Sequence, residues 1–113
     1  MGDVTIYHNP GCSTSRKAVE AVPDATVVQY LKEPLDADAL RTLLGRLEDP
    51  ATELVRRDAR FAALGLTDAD VATADQVVAV LAEHPELMQR PVLVRGERAI
   101  IGRPPSRVAD FVA

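Results

Sequence analysis

Apolar and polar residues alternate along Val4–Tyr7, the two-residue period of a strand buried on one face. Pro10-Gly11 marks a tight turn, and the run beyond it carries Ala18, Val19 and Val22 at helical spacing. This predicts a helix from just after Cys12 to about Ala21, stopping before Pro23. Thr26–Leu31 is β-branched and aromatic, the composition of a second strand. From Glu33-Pro34 the period lengthens: Leu40, Leu43, Leu44 and Leu47 predict an amphipathic helix from about Asp36. Asp49-Pro50 breaks it. Thr52–Arg57 reads as a short further helix, and Arg60–Leu64 as another turn closed by Gly65. Thr73 with Gln76 forms a capping box ahead of the buried stripe Val77, Val78 and Leu81, and His84-Pro85 ends that helix. Val92–Val94 is a third strand, Gly96-Glu97 a two-residue hairpin turn, and Arg98–Ile101 a fourth strand. Gly102-Arg103-Pro104-Pro105 opens a last helix with Val108, Phe111 and Val112 on one face.

The first three elements make a βαβ unit, hence a parallel strand pair with a right-handed crossover. The whole order, β-α-β, helices, β-β-α, predicts an α/β protein of thioredoxin-like layout. Its four-stranded mixed sheet carries a helical insertion between the halves, at about residues 36–84, in one domain spanning 1–113. With 47% hydrophobic and 27% charged residues, the chain has the composition of an ordinary soluble globule. No apolar run approaches transmembrane length and Met1-Gly2-Asp3 lacks the features of a signal peptide, so a cytoplasmic location is expected. A net charge of −4 argues against broad nucleic-acid binding. A monomer is the default expectation.

Chemistry concentrates at the first turn. Cys12 is the sole cysteine and stands where turn becomes helix. A thiol there meets unpaired backbone N–H groups and the positive end of the helix dipole, and both favour thiolate. The same N–H groups suit a tetrahedral oxyanion. One cysteine excludes an internal disulfide, and one cysteine with two histidines is too few for a structural zinc site. A second sulfur for redox work must come from another molecule.

Several stretches match a known family in order: Ile6-Tyr7-His8-Asn9-Pro10-Gly11-Cys12-Ser13-Thr14-Ser15-Arg16, Leu54-Val55-Arg56, Ala63-Leu64-Gly65-Leu66, His84 through Pro91, and Ile101-Gly102-Arg103-Pro104-Pro105. Through these the chain resembles the glutaredoxin-coupled arsenate reductase (ArsC) family, in its short, single-cysteine, YfgD-like subgroup. The resemblance implies that the Cys12 thiolate attacks arsenate, that a small thiol such as glutathione enters the adduct, and that glutaredoxin or a similar protein completes reduction to arsenite. It assigns oxyanion binding to Arg56, Arg90 and Arg103, and implies a cis peptide at Arg90-Pro91. His8 matches a residue that helps lower the thiol pKa, as imidazolium by adding positive charge. Ser15, three residues beyond Cys12 on one helix face, is placed to donate a hydrogen bond to the thiolate. No bound cofactor and no metal are implied.

Plainer roles stand beside these. A lone cysteine can be a buried small hydrophobe, and His8 can simply bond the turn. His84 reads as a surface residue at a helix end, and Arg57 and Arg60 as a solvated face. A helix running from Arg56 to Arg60 would leave the choice among these arginines open. A phosphatase-type loop needs arginine where Ala18 stands, six positions after the cysteine, and a dithiol oxidoreductase needs cysteine where Ser15 stands. Two alternatives remain on the same fold: an Spx-like regulator that binds RNA polymerase without catalysis, and a thiol oxidoreductase acting on another substrate.

Overall fold

The structure, a computed structural model, describes residues 3–113; Met1 and Gly2, the start of the expected 1–113 domain, lie outside the described residues. Four strands form one mixed sheet in the order β2-β1-β3-β4: β1 (Val4–His8), β2 (Thr26–Gln29), β3 (Val92–Arg95) and β4 (Arg98–Ile101). β1 and β2 run parallel with Ile6 opposite Val27, joined through α1 (Ser13–Ala21). β3 pairs antiparallel with β1, and Gly96, at φ +62°, turns the chain into the β3–β4 hairpin. That left-handed conformation is the one glycine adopts without steric cost.

Strand alternation separates two apolar layers. Val4, Ile6, Leu93 and Ile100 pack on one face against Ala18 of α1 and against Val108 and Phe111 of α5 (Ser106–Val112). Val92, Ala99 and Ile101 face the other way, into the helical block between the sheet halves. That block contributes Leu40 and Leu43 from α2 (Ala37–Arg46), Phe61 from α3 (Ala59–Ala63), and Val77, Val78 and Leu81 from α4 (Ala74–Glu83). Complete burial of each such side chain is worth about 1.5–3 kcal/mol. Among the described residues no helix is long and apolar enough to cross a membrane.

Helix starts follow the capping chemistry in the sequence. The Asp36 and Asp58 side chains accept from Ala39 and Phe61 N–H, at 2.8 and 3.1 Å, and Thr73 and Gln76 close their expected capping box. Three segments differ from expectation. β2 ends at Gln29, so Tyr30 leaves the sheet and is fully buried while Leu31 is exposed. Thr52–Arg57 is not a helix: one 3-10 turn covers Ala51–Leu54, and Val55 then pairs antiparallel with Met88. Partners distant in sequence, Arg56 N–H to Leu87 O and Gln89 N–H to Leu54 O, both 2.8 Å, overrule the local helical pattern. The last helix begins only at Ser106, with Pro105 as its N-cap, because the chain first makes a bend fixed by Gly102.

Gly102 joins the core to the site. Its N–H donates to Pro91 O at 2.8 Å, and a Cβ there would lie 2.8 Å from Pro91 Cγ and 2.9 Å from Leu93 Cδ1. Only glycine allows so close an approach. It brings together two segments that each precede a proline, Arg90-Pro91 and Arg103-Pro104, both with cis peptides. The family resemblance implies the first; nothing in the sequence marks the second.

Candidate active site

Cys12 is the N-cap residue of α1, its backbone extended and its N–H donating to Asn9 O at 3.0 Å. Asn9 Oδ1 tightens the same turn by accepting from Gly11 N–H at 2.9 Å. An N-cap side chain looks toward the free N–H groups of the first turn. The sulfur makes no conventional cap bond, yet the N–H groups of Thr14 and Ser15 stabilise its charge. Cys12 is buried, at 8% exposure, which strengthens the effect of nearby charge.

Two arginines from late in the chain act on the sulfur. Arg103 Nη2 is 3.5 Å from Cys12 Sγ, while its Nε donates to Arg90 O at 2.9 Å. Arg90 favours the thiolate in the same way. Burial pushes the thiol up, but the Ser15 N–H, Arg103, Arg90 and the Thr14 N–H outweigh it and bring the pKa from 9.0 down to about 6. Roughly nine tenths of such a thiol is ionised at pH 7. We expect the rate of Cys12 alkylation by iodoacetamide, followed against pH, to inflect near 6. An inflection at the ordinary thiol value would show that these groups do not activate the sulfur.

Arg56 extends from the segment paired with Leu87–Gln89, and its Nη1 lies 3.2 Å from Asp58 Oδ2. Asp58 starts α3, so no helix links Arg56 with Arg60 and the expected ambiguity between them disappears. Arg57 donates to the carbonyls of Thr52 and Val55 and pairs with Asp68; Arg60 pairs with Glu86 at 3.0 Å. Arg57 is therefore a brace for its own loop rather than a merely solvated charge. Of the three, Arg56 is the one whose charge is felt at Tyr30 together with that of Arg90.

His8 and Ser15 take different parts from those expected. The Ser15 hydroxyl bonds His8 Nδ1 at 2.6 Å and accepts from Asn9 N–H at 3.1 Å, so the Ser15 group stabilising the sulfur is its backbone N–H. The side chain of the third helical residue turns back to the strand end, whereas its N–H points out of the helix toward the N-cap. His8 is buried, and burial, followed by the charge of Arg16, lowers its pKa. It is neutral at pH 7 and orders the turn instead of supplying the imidazolium charge.

Three further residues belong to the site. Arg16 Nη1 donates to Pro10 O at 2.8 Å and braces the turn. Asn9 shapes it from within. Tyr30, fully buried, donates its hydroxyl to Met88 O at 3.3 Å. Its one signal in the sequence is an aromatic hydroxyl at the end of a strand, a group that needs a partner when buried. Among the described residues, no three or more His, Cys, Asp or Glu side chains gather closely enough to hold a metal ion.

A thioredoxin-like sheet with a lone thiolate at its first strand-to-helix turn, faced by arginines from the two cis-proline segments, defines the class of protein. The ArsC family model matches residues 7–111, and the chain belongs to the ArsC family. It is 37% identical to the Escherichia coli K12 protein YfgD, whose function is uncharacterised, over 96% of each chain. It is 33% identical to an arsenate reductase of Acidiphilium multivorum, over 99% of this chain and 82% of the relative. Among solved structures, the arsenate reductase from Vibrio cholerae superposes with a TM-score of 0.84 at 31% identity, covering 96% of this chain and 97% of that one.

Proposed function

We propose that this chain is a thiol-dependent arsenate reductase with Cys12 as its nucleophile. The observation that carries the reading is the sulfur itself: depressed to about 6 and held 3.5 Å from Arg103 Nη2, it is a nucleophile set in an anion site. Cationic and N–H groups that stabilise a thiolate also attract an arsenate anion and neutralise its repulsion from the attacking sulfur. Arg90 and Arg103 flank the sulfur, and Arg56 adds a third guanidinium for the remaining oxygens.

The sulfur attacks arsenic, an As–S bond forms, and one arsenate oxygen leaves as water after taking up protons. An external thiol, glutathione or an equivalent, then displaces a second oxygen as water and bonds arsenic through its own sulfur. A thiolate of glutaredoxin or a similar protein attacks that external sulfur. The disulfide formed carries the oxidation, and the two electrons of the broken S–As bond reduce arsenic(V) to arsenic(III). Water releases arsenite and restores Cys12. A single protein thiol is enough.

The test is arsenite formation by the purified chain given arsenate, glutathione, glutaredoxin and a system that re-reduces them. We expect turnover that depends on both the small thiol and the glutaredoxin. No arsenite under these conditions, with an activated Cys12, would direct the same chemistry to another substrate.

A further inference from the structure

The site draws on three stretches distant from one another in sequence: the Cys12 turn, the Leu54–Arg56 segment and the Leu87–Arg90 segment. Tyr30 stands where they meet. Its hydroxyl donates to Met88 O at 3.3 Å, and Met88 is the residue paired with Val55. Arg56 follows Val55 directly, and Arg90 comes two residues after Met88. The Tyr30 hydroxyl is thus anchored at the one rung from which both arginines project.

A phenol oxygen donates one hydrogen bond and offers two lone pairs. The Tyr30 proton is committed to Met88 O, and the Asn9 side chain and the Arg90 guanidinium each act on the phenol against its burial. The Asn9 backbone carbonyl in turn holds the Cys12 N–H, and its Oδ1 holds Gly11. Burial, the largest influence on the phenol, keeps it protonated and therefore a donor at neutral pH. Arg90 Nε is buried and has no hydrogen-bond partner. The ring meanwhile packs in the apolar block with Leu54, Val55 and Met88 and is 0% exposed.

The geometry points to Tyr30 as a positioning residue: by holding Met88 O, two residues before Arg90, its hydroxyl sets where Arg90 stands relative to the Cys12 sulfur. It touches neither the sulfur nor a bound anion and acts through Arg90. The inference rests on the reading of these arginines as an oxyanion site.

Tyr30→Phe removes the hydroxyl and leaves the ring in its packing. The assay is protection of Cys12 from iodoacetamide by arsenate, which requires no turnover, together with the pH profile of alkylation. In Tyr30→Phe the arsenate concentration for half-protection should rise by about tenfold, the scale of leaving one buried carbonyl without its donor. The inflection of alkylation should move up by about one pH unit. Both effects should vanish when Tyr30→Phe is compared with the parent in an Arg90→Gln background, because the hydroxyl acts through that guanidinium. A merely structural phenol would lower the unfolding midpoint while leaving the half-protection and the inflection as in the wild type, and that result would overturn the proposal. Wild-type Cys12 unprotected by arsenate would overturn the oxyanion reading itself, a separate outcome visible before any variant is made.

Discussion

Cys12→Ser forms no arsenite above background under conditions where the wild type turns over. A serine hydroxyl is far too weak an acid to be ionised by the groups that bring the thiol to about 6, and the chain has no second cysteine to substitute. The fold should survive, since serine is a preferred N-cap residue and occupies the N-cap of α1. Comparing the two proteins also isolates the stability linked to the thiol. Because the folded pKa lies below the unfolded one, the thiolate stabilises the wild type fully above the unfolded thiol value, and this contribution is lost as pH falls through about 6. Unfolding midpoints of wild type and Cys12→Ser should therefore converge toward pH 5 and separate in favour of the wild type toward pH 9. Arsenite production by Cys12→Ser would remove the sulfur from the mechanism.

Arg103→Ala should lose about a hundredfold in kcat/KM for arsenate, the scale of removing one preorganised donor from a developing anion. The thiol should lose its closest cation at the same time, so that the alkylation inflection rises by about one unit or more. Arg103→Lys should restore little of either. The guanidinium does two things at once, donating from Nε to Arg90 O and presenting Nη2 to the sulfur. An ammonium group is a single point charge and cannot span both. Wild-type activity and an unmoved inflection in Arg103→Ala would mean that the 3.5 Å approach is incidental.

What could be read from the sequence was local. The turn at Pro10-Gly11, the place of Cys12 at the start of α1, the Thr73–Gln76 cap and the hairpin at Gly96 each depend on a few neighbouring residues, and each lies where expected. Family resemblance supplied Arg56, Arg90 and Arg103, and the structure places Arg90 and Arg103 at the sulfur. The missed features depend on partners remote in the chain. Val55 is extended because Met88 is beside it, which no window around Val55 reveals. Ser15 lies at the right spacing for the thiolate, but His8 takes its hydroxyl, and the same burial that makes that short pair leaves His8 neutral. Tyr30 looked like the end of a strand; its importance comes from the carbonyl that its hydroxyl reaches across the fold.

A chain with a single cysteine has no internal route back from oxidation of its thiol. The ionised state that suits Cys12 to the proposed attack on arsenic also makes it a target for peroxide, which converts a thiolate to a sulfenic acid. Proteins with a neighbouring cysteine trap that species as a disulfide, but here Ser15 stands at the position a resolving cysteine would occupy. Without an outside thiol the next step is the sulfinic acid, which ordinary thiols do not reverse. The small thiol of the proposed cycle would therefore also preserve the protein between turnovers, and active lifetime should follow the thiol supply as closely as turnover does.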